Sequence, residues 1–162
     1  MNRFVATFAF VGLLRPAPGT WGSLAAIPVA FALHQLGGFA ALLLGTVVVA
    51  IVGWWTTHEL IRDSDNKDPS EIVIDEVLGM FLALWPVSYG AVMAGASFFA
   101  LWPGVLTAFV FFRIFDIWKP GPVGLADRRG DALGVMLDDA VAGGLTMLVV
   151  VVFAAFSHLV LM

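Results

Sequence analysis

The chain has 162 residues, of which 60% are hydrophobic and 12% are charged, and its formal net charge is −4. Soluble globular domains carry about 25% charged and about 45–50% apolar residues, so the composition excludes an ordinary soluble domain and indicates an integral membrane protein. The absence of cysteine excludes a disulfide scaffold, a thiolate nucleophile and a cysteine-bound metal. The acidic balance gives no reason to expect a nucleic-acid partner. The length fits a single domain over residues 1–162.

The charged side chains fall into three windows, at residues 3–15, 59–76 and 113–139. About 20 apolar residues cross a bilayer as a helix. The uncharged stretches 16–58 and 77–112 are each long enough for two crossings, and residues 140–162 are long enough for one. His34–Gly38 and Trp102–Gly104 supply the turns. We therefore predict an all-α, polytopic membrane helical bundle with five helices, near residues 22–36, 38–57, 73–100, 104–118 and 131–160.

The helices predicted at 22–36 and 104–118 have about 15 residues, or about 22 Å at 1.5 Å per residue. They are therefore short for a crossing, and re-entrant helices are an alternative. The two hairpins place all three charged windows on one face, which the positive-inside rule makes cytoplasmic. Within the third helix, Trp85 and Pro86 predict a kink, and the apolar N-terminal stretch of residues 4–14 is suited to lying along the membrane interface.

The first helix is preceded by the segment PAPGTWGS, residues 16–23. Thr20 or Ser23 is suited to capping this helix, and its glycines, Gly19 and Gly22, allow backbone N–H groups to approach an anion at the helix N-terminus. Glycine and proline commonly precede helices, so this segment alone is a weak indication of a site.

The second window contains Asp68-Pro69-Ser70-Glu71, which has the form of a capping box. This pattern predicts a helix that begins at Pro69 and makes Asp68 and Glu71 caps rather than catalytic groups. Asp75 and Glu76 then lie in the second turn, directly before an apolar run. Acids at that depth are costly unless they are paired, neutralised or bound to a metal.

The third window ends with Asp138 and Asp139, which directly precede the last apolar stretch. Two acidic pairs therefore stand at helix mouths on one face of the membrane. Carboxylates that converge without any thiol favour a hard cation, and we expect Mg²⁺. The alternative is simple ion pairing with the basic residues of this window, Arg113, Lys119, Arg128 and Arg129.

Arg113, Asp116 and Lys119 follow one another at intervals of three near the end of the fourth helix. Arg113 lies inside an apolar run, where a charge without a role is expensive. Arg113 and Lys119 are suited to holding a phosphate, with Asp116 orienting them. The alternative is that basic side chains extend toward lipid head groups, which we favour for Arg128 and Arg129.

Three blocks, PGTWGSLAAIP, KDPSEIVIDEVLGM and FRIFDIWKPGPVGLADRRGDALGVMLDDAVAG, occur in this order and cover about 60 of the 162 residues. Together they resemble the phosphatidylglycerophosphatase A family of bacterial membrane lipid phosphatases. The resemblance implies Mg²⁺-dependent hydrolysis of phosphatidylglycerol phosphate to phosphatidylglycerol and phosphate. It also implies a multi-pass protein of the bacterial inner membrane whose active site faces the cytoplasm.

On these grounds we expect the following site. The metal-binding and catalytic set is Asp75, Glu76, Asp138 and Asp139. The substrate-binding set is Lys119, Arg113, Thr20, Gly22, Ser23 and Lys67. The further candidates for metal, base or orienting roles are Asp116, Asp127 and Asp131.

Two other functions remain as alternatives. A CDP-alcohol phosphotransferase also gathers aspartates at a membrane-face Mg²⁺ site, and Asp127 and Asp131 followed by Asp138 faintly echo its motif, but the DGxxAR stretch is absent. A small transporter or cation-binding protein would carry polar residues across the bilayer, whereas the helix interiors here are almost wholly apolar. The oligomeric state, and the choice between direct water attack and an aspartyl-phosphate, do not follow from the sequence.

Overall fold

The structure is a computed structural model that describes residues 2–64, 66 and 69–161, with side chains as far as Leu159. No strand occurs in these residues, which confirms the predicted all-α class. Two short 3₁₀ helices, Val11–Leu13 and Phe98–Leu101, accompany the α-helices. The α-helices are α1 (Asn2–Ala6), α2 (Pro18–Ile61), α3 (Ile74–Ala83), α4 (Trp85–Ala94), α5 (Trp102–Trp118), α6 (Pro122–Asp127) and α7 (Ala132–Leu161).

The long helix α2 is a hairpin of two arms. Gly37 and Gly38 leave helical geometry, and Gly38 has φ +61°, a conformation that favours glycine. The Leu33 side chain lies against Gly45, which is possible only if the chain folds back on itself. The predicted break before residue 38 is therefore confirmed, and two arms stand where two helices were expected.

The start of α2 differs from the prediction. The helix begins at Pro18, four residues before the predicted start, and Ala17 is its N-cap without a side-chain hydrogen bond. Thr20 and Ser23 therefore lie inside the helix, and the prediction that one of them caps it is wrong. The Ser23 hydroxyl donates instead to the carbonyl oxygen of Gly19 at 2.7 Å, a bond within the helix.

The predicted capping box is also wrong, because α3 begins at Ile74 and not at Pro69. The backbone N–H of Val73 donates to the carbonyl oxygen of Ala6 at 2.9 Å, so a tertiary contact holds the segment before the helix. Glu71 forms an ion pair with Arg3 at 3.2 Å, and Asp68 lies outside the described residues. Asp75 and Glu76 consequently lie in the first turn of the helix.

The predicted kink in the third crossing is confirmed, because α3 ends at Ala83 and α4 begins at Trp85. Pro86 lacks the N–H group that a continuous helix would use there. The Trp85 indole N–H donates to the hydroxyl of Thr46 at 3.0 Å and ties this bend to the second arm of α2. The crossing stops at Ala94 rather than near residue 100, since Gly95 adopts a left-handed C-cap.

The helices α3 and α7 pack against each other most closely at two glycines. A Cβ atom on Gly79 would lie 2.6 Å from the carbonyl oxygen of Asp139, and Gly143 faces the backbone of Gly79. The helix α2 covers α3 from the other side, and α5 packs against α7. This close approach brings the first turn of α3 beside the second turn of α7.

The dimensions of the bundle suit a bilayer. Four stretches are long and apolar enough to cross a membrane, and the first of them contains both arms of α2. The last of the five predicted helices corresponds to α7. The fourth, predicted at 104–118, corresponds to α5, which starts two residues earlier. The four stretches that are long and apolar enough to cross a membrane are Pro18–Ile61, Ile74–Ala94, Phe98–Trp118 and Ala132–Leu159.

Candidate active site

A cavity of about 320 Å³ lies at one end of the bundle, where the first residues of α2, α3 and α7 meet the last residues of α5 and α6. Six acidic and two basic side chains line it. Its lining residues are Ala17, Pro18, Gly19, Ser70, Ile72, Asp75, Glu76, Arg113, Asp116, Ile117, Lys119, Asp127, Gly130, Val135, Asp138 and Asp139.

Three carboxyl groups converge in the depth of the cavity. Asp75, Glu76 and Asp139 each offer one oxygen, and these oxygens lie within 4.8 Å of one another. Asp75 and Asp139 are buried, with exposed fractions of 8% and 3%. The three acids come from the first turn of α3 and the second turn of α7, so the packing of these two helices creates the cluster.

The same cluster contains polar atoms that have no partner. Glu76 Oε2 and Asp139 Oδ1 are buried and receive no hydrogen bond from any described residue. Buried polar atoms are nearly always satisfied in native proteins, and buried carboxylates are costly unless something neutralises them. Three convergent carboxylates with two unsatisfied oxygens therefore fit a hard divalent cation with oxygen ligands.

Arg113 and Asp116 form a second pair of groups on α5, one turn apart. Their side chains make an ion pair, and the Arg113 guanidinium also lies 3.9 Å from Glu76. The Asp116 carboxyl contacts that of Asp139. Arg113 Nε is buried without a partner among the described residues, so the guanidinium retains an N–H group for a ligand.

Lys119 joins the two remaining acids of the cavity. It follows α5 in a left-handed conformation with φ +46°, and its Nζ donates to Asp138 at 2.8 Å and also to Asp127. Partial burial opposes the positive charge, but the hydrogen bonds to both carboxylates raise the pKa of Lys119 above its ordinary value. Asp138 is thus bound to a cationic lysine and is not part of the group formed by Asp75, Glu76 and Asp139.

Gly19 lines the cavity, although of the two glycines before the first predicted helix only Gly22 was among the expected site residues. A Cβ atom at this position would collide with Glu76 Oε1 and would lie 3.1 Å from Arg113 Nη1. The first turn of α2 therefore lies directly against the Glu76 and Arg113 side chains. The sequence signal for this role was a glycine directly after Pro18, because a residue without a side chain at the start of a helix leaves space for another group.

Several predicted site residues lie elsewhere. Asp131 is the N-cap of α7, where its carboxylate accepts from the Gly134 N–H at 2.8 Å and pairs with Arg129. Hydrogen bonds from Arg129 and Gly134 hold the pKa of Asp131 below its usual value. Gly22 packs against Val73, and neither it nor Thr20 nor Ser23 lines the cavity. Lys67 lies outside the described residues.

Comparison with known proteins identifies a family to which the chain is similar. Residues 4–154 match the family model described as phosphatidylglycerophosphatase A. The chain is 36% identical to the phosphatidylglycerophosphatase A of Haemophilus influenzae, over 88% of this chain and 81% of that protein. It is 36% identical to the enzyme of the same name from Escherichia coli, over 82% of this chain and 71% of the relative.

A third relative carries a different name. The chain is 35% identical to a putative phosphatidylinositol-3-phosphatase of Bacteroides thetaiotaomicron, over 84% of this chain and 82% of that protein. No solved structure matches the chain. All three relatives are named as phosphatases of phosphorylated glycerolipids.

Proposed function

The chain belongs to the phosphatidylglycerophosphatase A family and is a phosphoric monoester hydrolase, and we propose that it hydrolyses phosphatidylglycerol phosphate to phosphatidylglycerol and inorganic phosphate. One observation carries this proposal beyond the family name. Asp75, Glu76 and Asp139 converge in the same cavity as Arg113 and Lys119. Carboxylates that can hold a metal cation, beside basic side chains that can hold a phosphate, suit the hydrolysis of a phosphomonoester.

The proposed cofactor is Mg²⁺, held by Asp75, Glu76 and Asp139. The unsatisfied oxygens of Glu76 and Asp139 support this assignment, since a hard cation takes carboxylate oxygens as ligands. When bound, such an ion supplies positive charge to the phosphate oxygens and lowers the pKa of a coordinated water. Asp138 remains a candidate ligand from the sequence, although its oxygen is held by Lys119 in this structure.

The chain's own residues bind and orient the phosphate in this proposal. Arg113 lines the cavity and its Nε has no hydrogen-bond partner among the described residues, and Lys119 is held as a cation, so both are suited to donating to phosphate oxygens. Asp116 and Asp138 orient these two cations. The reaction breaks the bond from phosphorus to the glycerol oxygen and forms one from phosphorus to the oxygen of water.

The proposed orientation puts the cavity at the cytoplasmic face of the bacterial inner membrane. The cavity lies at the end of the bundle where the basic residues of the segments between the long helices are found. By the positive-inside rule, basic residues close to the ends of membrane helices favour the cytoplasmic side. The acyl chains of the substrate then stay in the bilayer, while the head group enters the cavity. The apolar helix surfaces support this placement.

The test is phosphate release by the purified protein in detergent, with Mg²⁺ and with EDTA. We expect release from phosphatidylglycerol phosphate that requires the metal. Phosphatidylinositol 3-phosphate is the comparison substrate, because one relative is named a putative phosphatidylinositol-3-phosphatase. Preferential release from the inositol lipid would overturn the proposed substrate, and CMP formation from a CDP-lipid would instead favour a phosphotransferase. A metal-dependent cation flux without any phosphate release would favour a transporter.

A further inference from the structure

The cavity has an excess of acidic over basic side chains. Six carboxyl groups line it, and each of its two cations is also ion-paired with carboxylates, Arg113 with Asp116 and Lys119 with Asp127 and Asp138. A divalent ion would reduce the excess without removing it. A ligand with two phosphate groups therefore needs additional positive charge outside the inner cavity.

Two arginines are suited to supply that charge. Arg15 and Arg128 are exposed, and neither forms an ion pair with any residue that the structure describes. The other described arginines outside the cavity are ion-paired: Arg3 with Glu71, Arg62 with Glu59, and Arg129 with Asp131.

Each arginine is close in the chain to residues that line the cavity. Ala17 lines the cavity, and the Cα of Arg15, two residues earlier, lies at most about 7 Å from that of Ala17. Arg128 lies between Asp127 and Gly130, which also line it. An arginine side chain extends far enough from either position to place its guanidinium over the entrance.

We propose that Arg15 and Arg128 form a second phosphate-binding site at the rim of the cavity, which holds the phosphodiester of the lipid while the terminal phosphomonoester occupies the inner cavity. This inference rests on the proposed function. A guanidinium binds two phosphate oxygens at once, so the rim site contributes affinity for the diester with a defined geometry. The enzyme then selects lipids with two phosphates over lipids with a single phosphomonoester, such as phosphatidic acid.

The test compares phosphatidylglycerol phosphate with phosphatidic acid of the same acyl chains, both in neutral detergent micelles. We expect the double variant R15Q/R128Q to raise KM for the two-phosphate lipid about ten-fold, as the loss of charged hydrogen bonds predicts. Its kcat should change less than about two-fold. The KM for phosphatidic acid should stay within about two-fold of the wild-type value. The double variant R15Q/R128K should keep part of the affinity for phosphatidylglycerol phosphate that R15Q/R128Q loses.

Arg62→Gln is the control, because it removes an exposed arginine that is ion-paired with Glu59 and Asp63 and does not line the cavity. It should leave both KM values as they are. An equal rise in KM for both lipids, or no rise for either, would overturn the rim site. A rise that occurs only with anionic vesicles would also overturn it, since it would show attraction to the membrane surface.

The outcomes separate the rim site from the proposed function. If the wild-type protein released phosphate from neither lipid, the proposed function itself would be wrong. If the wild-type protein were active and R15Q/R128Q kept its KM, only the rim site would be wrong. Phosphatidylglycerol, which retains the diester, provides a second measurement, since its inhibition constant should rise in the double variant.

Discussion

Asp75 on α3 and Asp139 on α7 offer carboxylate oxygens within 4.8 Å of each other, although they belong to two different stretches that are each long and apolar enough to cross a membrane. Two buried carboxylates at this distance repel each other unless one of them is protonated or a cation lies between them. The relationship depends on the contact of α3 with α7 at Gly79, which leaves no room for a side chain. The assembly of the bundle and the chemistry of the site are therefore linked.

Asp75→Asn and Asp139→Asn are each expected to lower kcat at least about 100-fold, because each removes a charged ligand from the proposed metal site. The folded protein should persist, since the amide is similar in size to the carboxylate. Phosphate release and thermal unfolding in detergent are the measurements. Asp63→Asn is the control, because Asp63 is highly exposed and lies outside the cavity. Full activity in both site variants would remove the metal assignment.

Metal removal tests the same cluster without a substitution at the acids. EDTA should abolish phosphate release, and added Mg²⁺ should restore it. Direct binding of Mn²⁺, followed by its electron paramagnetic resonance signal, should weaken at least about ten-fold in Glu76→Gln, since Glu76 Oε2 has no other described partner. Activity that survives thorough chelation would contradict a metal-dependent reaction.

Gly19→Ala is expected to lower activity about ten-fold or more with little loss of stability. The added Cβ would displace the Glu76 carboxylate, which lies at the end of a flexible side chain and moves at small cost. Gly144→Ala is the matched control, because a Cβ there meets no described atom within 4 Å. Alanine raises helix propensity by up to about 1 kcal/mol at both positions, so only activity should separate the two variants. Equal activities would show that Gly19 does not position Glu76.

Gly79→Ala is expected to destabilise the protein by about 1–3 kcal/mol, in the range of an overpacked core. Its Cβ would lie 2.6 Å from the Asp139 carbonyl oxygen, and backbone atoms cannot move aside as a side chain does. Chemical denaturation in mixed micelles measures the change. A variant of unaltered stability and activity would contradict the close packing of α3 on α7.

Asp131→Ala is expected to lower the unfolding free energy by about 0.5–2 kcal/mol through loss of the α7 N-cap. Asp131→Asn should recover much of that loss, since an asparagine side chain also accepts a hydrogen bond from the Gly134 N–H. Thermal unfolding of the two variants makes the comparison. A stable Asp131→Ala protein with no turnover would return Asp131 to the catalytic residues.

Composition and order along the chain were enough to predict much of this molecule. The long apolar stretches predicted a helical membrane bundle, because a bilayer leaves its backbone polar groups no other partners. Gly37 and Gly38 marked the hairpin, and Trp85 with Pro86 marked the kink, because these are local backbone effects. The placement of acids beside apolar runs identified four of the six acids that line the cavity as principal candidates, and the other two, Asp116 and Asp127, were among the further candidates.

Tertiary contacts decided the rest, because they bring together residues that no local pattern relates. The amide of Val73 bonds to Ala6, and this moves the start of α3 away from the capping box at Pro69. Lys119 binds the Asp138 carboxylate, which is not part of the cluster formed by Asp75, Glu76 and Asp139. Gly19 leaves space for the Glu76 side chain at the contact between α2 and α3. The types of side chain at the site follow from local sequence, whereas their partners depend on how the helices pack.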